Sequence, residues 1–248
     1  MHFFYLLINF NIIELGIRGE FMIETVKREV YKLLGQEDSG HDDSHIGRVV
    51  RMSLEFAKEE NANKEIVALI ALLHDVDDYK LVSSEDAANL TNTKRIMNIA
   101  NVDSKTQEIV ISELKRIGYS KSLDGIRPLT IEGKIVSDAD MCDASGVNGV
   151  IRSFKYNLKH GGSFFNRNIF PTLYNNSKEY KESKSTTVVN HMFEKILKLK
   201  SLMLTDAGKK EASIRHEVLV NILYNLFNEE DANEWKEYLD NYLADIEK

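Results

Sequence analysis

The chain has 248 residues, of which 43% are hydrophobic and 29% are charged, and it contains one cysteine. This composition is typical of a globular protein, excludes a disordered chain, a collagen and a multi-span membrane protein, and with no possible intramolecular disulfide favours a cytoplasmic location. The net charge of −7 disfavours the basic face that nucleic-acid binding needs, so we expect no nucleic-acid partner.

The N-terminus is apolar from Met1 to Ile13. This run lacks the basic region and the cleavage site of a secretory signal, and it is shorter than the roughly 20 residues that span a bilayer, so we expect no membrane partner. A second methionine, Met22, follows codons that can spell a ribosome-binding site. We therefore expect residues 1–21 to be either a non-native extension or an extra N-terminal element, and residues 22–248 to form one functional domain.

Hydrophobic periodicity predicts helices along the whole chain, and few prolines or alternating β-branched residues oppose them. The stretch from Gly161 to Lys184 is polar, contains glycines and aromatic residues, and predicts a long loop or lid. The sequence therefore predicts a single all-α domain, with no internal repeat. In chain order, the predicted helices are Ile23–Leu34, Ser44–Glu60 with Ser44 as N-cap, Glu65–Leu73, Ser84–Ile99, Ser104–Arg116, Ile131–Met141, Thr187–Met203, Asp206–Phe227 and Asn233–Ile246.

Histidines and carboxylates beside apolar helices need an explanation, because a buried charge is costly unless it is paired or bound to a metal. His74 and Asp75 directly follow a nearly continuous apolar run, and His45 shares a helical face with apolar side chains. Further along, a predicted helix ends among three carboxylates, those of Asp138, Asp140 and Asp143. A site made of the two imidazoles and two of these carboxylates would favour Mn²⁺, Fe²⁺, Mg²⁺ or Zn²⁺ over Cu⁺.

These segments resemble the motif of the HD superfamily of metal-dependent phosphohydrolases, in which a histidine precedes a His-Asp doublet and a distal aspartate. The matching segments are HisIleGlyArgVal at 45–49, LeuLeuHisAsp at 72–75 and AspAlaAsp at 138–140. The resemblance implies the helical HD-domain fold and a divalent metal, Mn²⁺ or Mg²⁺ in preference to Fe²⁺, Ni²⁺, Co²⁺ or Zn²⁺. Because the distal aspartate of the family follows an alanine, the implied ligands are His45, His74, Asp75 and Asp140.

Two residues depart from the family pattern. Met141 and Cys142 stand where the family usually has a basic residue and a leucine. This departure concerns the contacts next to the distal aspartate and leaves the ligand itself in place. Cys142 is expected to be a small core residue, because nothing in the sequence supplies the paired base that a nucleophilic cysteine needs.

Longer segments are similar to small stand-alone bacterial HD hydrolases, some of which are nucleoside triphosphate pyrophosphohydrolases. The similarity runs from about Met22 to Glu230, and its clearest segments are residues 41–45, 74–80, 143–152 and 191–196. It implies hydrolysis of a nucleoside triphosphate, including a deoxynucleotide, to the monophosphate and pyrophosphate. A nucleotidase or phosphodiesterase on the same site is the alternative enzyme, and a nucleotide-sensing module without turnover is the alternative of another class.

The candidate catalytic residues are Asp75 and Asp78. In related hydrolases an acidic side chain three residues after the ligand positions water or protonates the leaving group, which favours an enzyme over a sensor. The alternative is that Asp77, Asp78 and Lys80 only cap the helix in solvent. Monomer and homodimer both remain open.

Phosphate needs positive partners in a chain of net charge −7. His191 and Lys195 lie on one predicted helical stripe with Lys198 and are similar to the subgroup at these positions. A solvated surface stripe is the alternative, and Lys198 is expected to pair with Glu194. The candidate substrate-binding residues are Lys80, His191, Lys195, Arg48 and His41.

Overall fold

The computed structural model describes residues 17–34, 43–79, 81–174, 176–182 and 187–246. Within these ranges the only extended pairing is an isolated bridge between Ser163 and Thr187, and the predicted all-α fold is confirmed. The helices are α1 (Ile17–Leu34), α2 (Asp43–Glu59), α3 (Lys64–Leu73), α4 (Ser84–Asn89), α5 (Thr91–Ile99), α6 (Ser104–Leu114), α7 (Tyr119–Leu123), α8 (Ile131–Asp143), α9 (Gly146–Lys159), α10 (Ser177–Glu182), α11 (Val188–Glu194), a 3-10 helix (Ile196–Leu202), α12 (Asp206–Glu229) and α13 (Asn233–Ile246).

The chain divides into two compact units, residues 1–115 and residues 116–248. In the first unit, α3 is central and packs against α1, α2 and α6. All its residues from Val67 to Leu73 are buried, as expected for a helix that is apolar on every side. The Asn63 side chain accepts hydrogen bonds from the backbone N–H groups of Glu65 and Ile66 and so caps this helix.

In the second unit, α12 packs against α8, α9, α13 and the 3-10 helix. Its N-terminus is fixed by the buried carboxylate of Asp138, which accepts hydrogen bonds from the N–H groups of Leu204 and Thr205. The indole of Trp235 is fully buried between the rings of Phe165, Phe193 and Phe227. These contacts join α11, α12 and α13 into the core of this unit.

Two predicted helices are wrong because each is divided. The helix predicted over Ser84–Ile99 is interrupted at Leu90, whose φ of 51° is left-handed and ends α4. The Asp77 carboxylate accepts hydrogen bonds from the N–H groups of Asn92 and Thr93 and starts α5 there. The helix predicted over Thr187–Met203 breaks at Lys195 into α11 and the 3-10 helix.

Three further differences concern helix boundaries and omissions. α2 begins at Asp43, so Ser44 lies inside the helix and is not its N-cap. α7 and α9 were not anticipated, because α7 has five residues and α9 begins with two closely spaced glycines. Residues 1–16 lie outside the described ranges, and the division at residues 21 and 22 remains a prediction, with Met22 inside α1. None of the described helices combines the length and the apolar character needed to cross a bilayer.

The predicted loop between Gly161 and Lys184 is partly fixed in place. Arg167 donates hydrogen bonds to the carboxylate of Glu234, and its own carbonyl accepts one from the Trp235 indole N–H. Phe170 stacks on the Trp235 ring with the planes 4° apart. The first part of this segment is therefore packed on α13, and α10 interrupts its second part.

Candidate metal centre and active site

Three side chains of the first unit converge at the junction of α2 and the C-terminal end of α3. The Nε2 atoms of His45 and His74 lie 3.2 Å apart. The Oδ2 atom of Asp75 lies 3.3 Å from the first of these nitrogens and 3.4 Å from the second. His45 comes from the buried face of α2, whereas His74 and Asp75 follow directly where α3 ends.

The tautomer of His74 follows from its other ring nitrogen. Nδ1 lies 2.8 Å from the carbonyl oxygen of Ala71, which can only accept a hydrogen bond. Nδ1 therefore carries a proton, so Nε2 is the ring atom that faces His45 and Asp75 and can ligate a metal. This arrangement, with a backbone carbonyl fixing the ring, is typical of a metal-ligating histidine.

The three atoms fit one divalent metal ion. Ligand atoms about 2.1 Å from a common metal lie roughly 3.0–3.4 Å apart when they subtend 90–110°, and the three separations are of this size. The side chains of His45, His74 and Asp75 are only 1%, 2% and 12% exposed. Buried acceptor atoms that face one another repel unless a proton or a cation lies between them. A metal ion would also balance the negative charge of the Asp75 carboxylate.

The distal candidates lie on α8 of the second unit and differ in their surroundings. Asp138 is fully buried and accepts hydrogen bonds at 2.8 and 2.7 Å from the N–H and hydroxyl of Thr205, so its carboxylate is committed to the fold. Asp143 is also buried. Asp140 is half-buried, and its role as the fourth ligand remains a prediction from the resemblance.

The acidic run after the doublet separates into two roles. Asp77 is buried and accepts the two backbone hydrogen bonds that start α5, so it is not part of a solvated cap. Asp78 is half-buried in the turn beyond α3, where its N–H donates to the carbonyl of Asp75. The helix does not continue past His74, so Asp78 follows the metal ligands through a turn rather than one helical turn further on.

Several predicted substrate contacts of the first unit lie outside the described residues or have local partners. His41 and Lys80 fall outside the described ranges. Arg48 is half-buried on α2, and its guanidinium donates a 3.0 Å hydrogen bond to the Ser44 hydroxyl. Its role toward phosphate remains a prediction.

The cationic stripe predicted on one helix is wrong, because α11 ends at Glu194 and Lys195 has φ −132° and ψ −58°. Burial lowers the pKa of His191 to about 3, helped by the nearby charges of Lys195 and Arg152. His191 is therefore a neutral imidazole at pH 7 and adds no positive charge. The Lys195 ammonium lies against the rings of Tyr119 and Tyr180.

A cluster of tyrosines around these lysines was missed by sequence reasoning. The ring of Tyr119 on α7 lies 5.2 Å from that of Tyr180 on α10, and the hydroxyls of Tyr119 and Tyr174 are 3.3 Å apart. The ammonium groups of Lys195 and Lys198 each lie 5.0 Å from a tyrosine ring centroid. The three tyrosines are separated along the chain, so no local spacing could identify them.

Two other groups have structural roles. Burial raises the pKa of the Cys142 thiol to about 12, which confirms a core residue and argues against a nucleophile. The guanidinium of Arg215 donates to the carbonyl of Cys142 and to the carboxylate of Glu211, which ties α8 to α12.

Comparison with known proteins adds to this geometry. The model of the family described as HD domain matches residues 42–145. The predicted resemblance to the HD superfamily is confirmed over these residues. The matched HD domain contains all four predicted ligands and implies a divalent metal, although not which metal.

Three similar proteins extend over most of the chain. A solved structure from Lactobacillus plantarum is 29% identical, with a TM-score of 0.73, and the match covers 88% of this chain and 98% of that one. An HD-superfamily hydrolase from Bacillus thuringiensis is also 29% identical, with a TM-score of 0.68 and coverage of 86% and 99%. These likenesses support a hydrolase.

The third protein is YpgQ of Bacillus subtilis. It is 29% identical over 206 residues, which are 82% of this chain and 91% of YpgQ. A crystal structure of YpgQ in complex with ADP has a TM-score of 0.66 at 25% identity, and covers 86% of this chain and 97% of that one.

Proposed function

We propose that this HD hydrolase is a metal-dependent phosphohydrolase that uses water to cleave a nucleoside triphosphate into the nucleoside monophosphate and pyrophosphate. The observation that carries the metal-dependent part is the triangle of Nε2, Nε2 and Oδ2 atoms from His45, His74 and Asp75, with sides of 3.2–3.4 Å. Asp140 is proposed as the fourth ligand, by its match to the family motif. The ADP complex of YpgQ supports a nucleotide substrate.

The metal would sit against the two imidazoles and the Asp75 carboxylate. When bound, a divalent ion lowers the pKa of water and neutralises charge that develops on phosphate oxygens. The Ala71 carbonyl keeps His74 in the tautomer that ligates, so the protein does not have to reorganise this ring. Mn²⁺ or Mg²⁺ is the proposed ion.

Asp78 is the proposed proton-transfer residue. Its position in the turn after the doublet keeps it close in sequence to Asp75, and its side chain is half-buried, whereas Asp77 is buried and bonded to the start of α5. A carboxylate there can orient the attacking water or deliver a proton to the departing pyrophosphate oxygen.

Lys195 is the proposed contact for the β and γ phosphates. Its ammonium is half-buried and, in the part of the chain that the structure describes, forms no ion pair with a carboxylate. His191 beside it is neutral and would act as a hydrogen-bonding group. Arg48, Lys80 and His41 are further proposed contacts.

The reaction is tested by hydrolysing ATP and dATP in H₂¹⁸O with Mn²⁺ or Mg²⁺ and following the products by ³¹P NMR. Attack at the α-phosphorus puts ¹⁸O into the monophosphate and leaves the pyrophosphate unlabelled. Labelled orthophosphate with a nucleoside diphosphate would instead indicate a phosphatase acting on the terminal phosphate. Turnover of monophosphates or of phosphodiesters alone would move the function to a nucleotidase or phosphodiesterase, and saturable binding without product would indicate a sensor.

A further inference from the structure

The ammonium group of Lys195 lies close to two tyrosine rings of the second unit. Lys195 lies at the break between α11 and the 3-10 helix, so its side chain departs from the direction that an unbroken helix would give it. Its Nζ lies 5.0 Å from the ring centroid of Tyr119 and 5.8 Å from that of Tyr180. An ammonium within about 6 Å of an aromatic face is attracted by the ring quadrupole.

The two rings come from elements that are far apart in sequence yet contact each other directly. Tyr119 starts α7, Tyr180 lies on α10, and the rings meet edge to face with centroids 5.2 Å apart. The Asp124 carboxylate accepts hydrogen bonds from the N–H and hydroxyl of Ser177, at 3.2 and 2.6 Å, which holds the start of α10 beside α7. The rings therefore form a preassembled surface under the Lys195 ammonium.

The Tyr119 ring does not compete for the ammonium as an anion at neutral pH. Burial raises the pKa of the Tyr119 hydroxyl to about 12, so the phenol stays neutral. The attraction orients the Lys195 charge without neutralising it, in contrast to a carboxylate partner. Lys198 provides the comparison, because it lies 5.0 Å from the Tyr174 ring but also interacts with the charge of Glu194.

We propose that Tyr119 and Tyr180 are positioning residues. They hold the Lys195 ammonium, which pairs with no carboxylate among the described residues, in place for the diphosphate part of the substrate. This inference rests on the proposed function for the identity of that substrate, and on the cation–π geometry for the role of the two rings. A lysine side chain that is already ordered loses less rotamer entropy when it binds phosphate. Removing either ring should therefore weaken the binding of diphosphate, and this effect should be seen only when Lys195 is present.

The test measures the affinity of inorganic pyrophosphate for the Mn²⁺-loaded protein by titration calorimetry. Tyr119→Leu and Tyr180→Leu are each expected to weaken binding roughly three- to ten-fold, whereas Tyr119→Phe keeps the ring face and stays within about two-fold of the wild type. In a Lys195→Met background, the Tyr119→Leu and Tyr180→Leu changes should have no further effect. Lys198→Met is the matched control and should leave the affinity unchanged.

Equal losses from Tyr→Leu in the wild-type and the Lys195→Met backgrounds would show a structural role and overturn the proposal. An unchanged affinity in Lys195→Met itself would also overturn it. If Tyr119→Leu does not fold, the double-mutant cycle of Tyr180→Leu and Lys195→Met is sufficient to test the proposal. The experiment measures the binding of pyrophosphate and not turnover. The role of the two rings can therefore be judged even if the protein does not hydrolyse nucleoside triphosphates.

Discussion

Mutations of Asp138 and Asp140, which are separated by a single alanine, should have different effects. Loss of the Asp138 carboxylate should lower stability, and loss of the Asp140 charge should abolish metal binding. The Asp138 carboxylate accepts hydrogen bonds from the N–H of Leu204 at 3.0 Å and from the N–H and hydroxyl of Thr205 at 2.8 and 2.7 Å. Gly208 lies so close to this carboxylate that a Cβ there would collide with it. Asp138→Ala therefore removes a charged, fully buried cap and leaves its donors without their acceptor.

The loss of stability caused by Asp138→Ala can be estimated from these hydrogen bonds. A hydrogen bond to a charged group contributes about 1.5–3 kcal/mol, and losses that share one carboxylate are not additive, so we expect Asp138→Ala to lower the free energy of unfolding by about 3–5 kcal/mol. For a chain of this length that corresponds to a Tm lower by roughly 6–20 °C. Asp140→Asn in the metal-free protein should stay within about 1 kcal/mol of the wild type but bind no metal.

The assay is thermal unfolding of the metal-free proteins, followed by circular dichroism, together with elemental analysis after metal loading and dialysis. Gly208→Ala serves as a second perturbation of the same cap and should also lower the Tm. A Tm for Asp138→Ala within about 2 °C of the wild type would contradict the role of Asp138 as a cap. Metal retained by Asp140→Asn but lost from folded Asp138→Ala would contradict the assignment of Asp140 as the ligand.

Three further predictions concern single side chains. Asp78→Asn should keep the metal and the fold but lower kcat roughly 10²–10⁴-fold; a change of only a few-fold would mean that Asp78 takes no part in proton transfer. Lys195→Met should reduce triphosphate turnover roughly 10–150-fold and monophosphate turnover far less, and equal losses in steady-state kinetics would contradict a contact to the far phosphates. His191 is neutral in the folded protein down to about pH 3 but takes up a proton near its ordinary pKa of 6.5 when unfolded, so it makes the protein less stable as the pH falls through that window. His191→Gln should therefore lose less stability than the wild type between pH 7 and pH 5 in urea unfolding, and an equal loss would contradict the lowered pKa.

The helices that the sequence predicts well are those whose hydrophobic pattern is local. α3 is apolar at nearly every position, and the structure buries seven of its ten residues. α12 and α13 were predicted to begin at Asp206 and Asn233, as they do. The histidine and the His-Asp doublet of the first unit could be identified for the same reason, because polar ligands beside an apolar helix have no role in the core unless something binds them.

The features that the sequence did not predict depend on contacts between distant residues. The break between α4 and α5 is fixed by Asp77, which bonds to N–H groups 15 and 16 residues further along the chain. The neutral state of His191 results from burial and from neighbouring charges, which composition cannot indicate. The sequence separates Asp138 from Asp140 only by the alanine before Asp140 that matches the family motif, and it gives no sign that Asp138 is a cap. The bonds of Asp138 to Leu204 and Thr205 show that role.

Metal content shows most directly whether His74 is a metal ligand. Wild-type protein and His74→Ala are loaded with Mn²⁺, dialysed and compared by elemental analysis, with His160→Ala as the control, because the exposed His160 bonds only locally to the Tyr156 carbonyl. We expect bound metal in the wild type and in His160→Ala. Folded His74→Ala should lose both the bound metal and nucleotide hydrolysis. Wild-type metal content in His74→Ala would contradict the ligand assignment and the mechanism that depends on it.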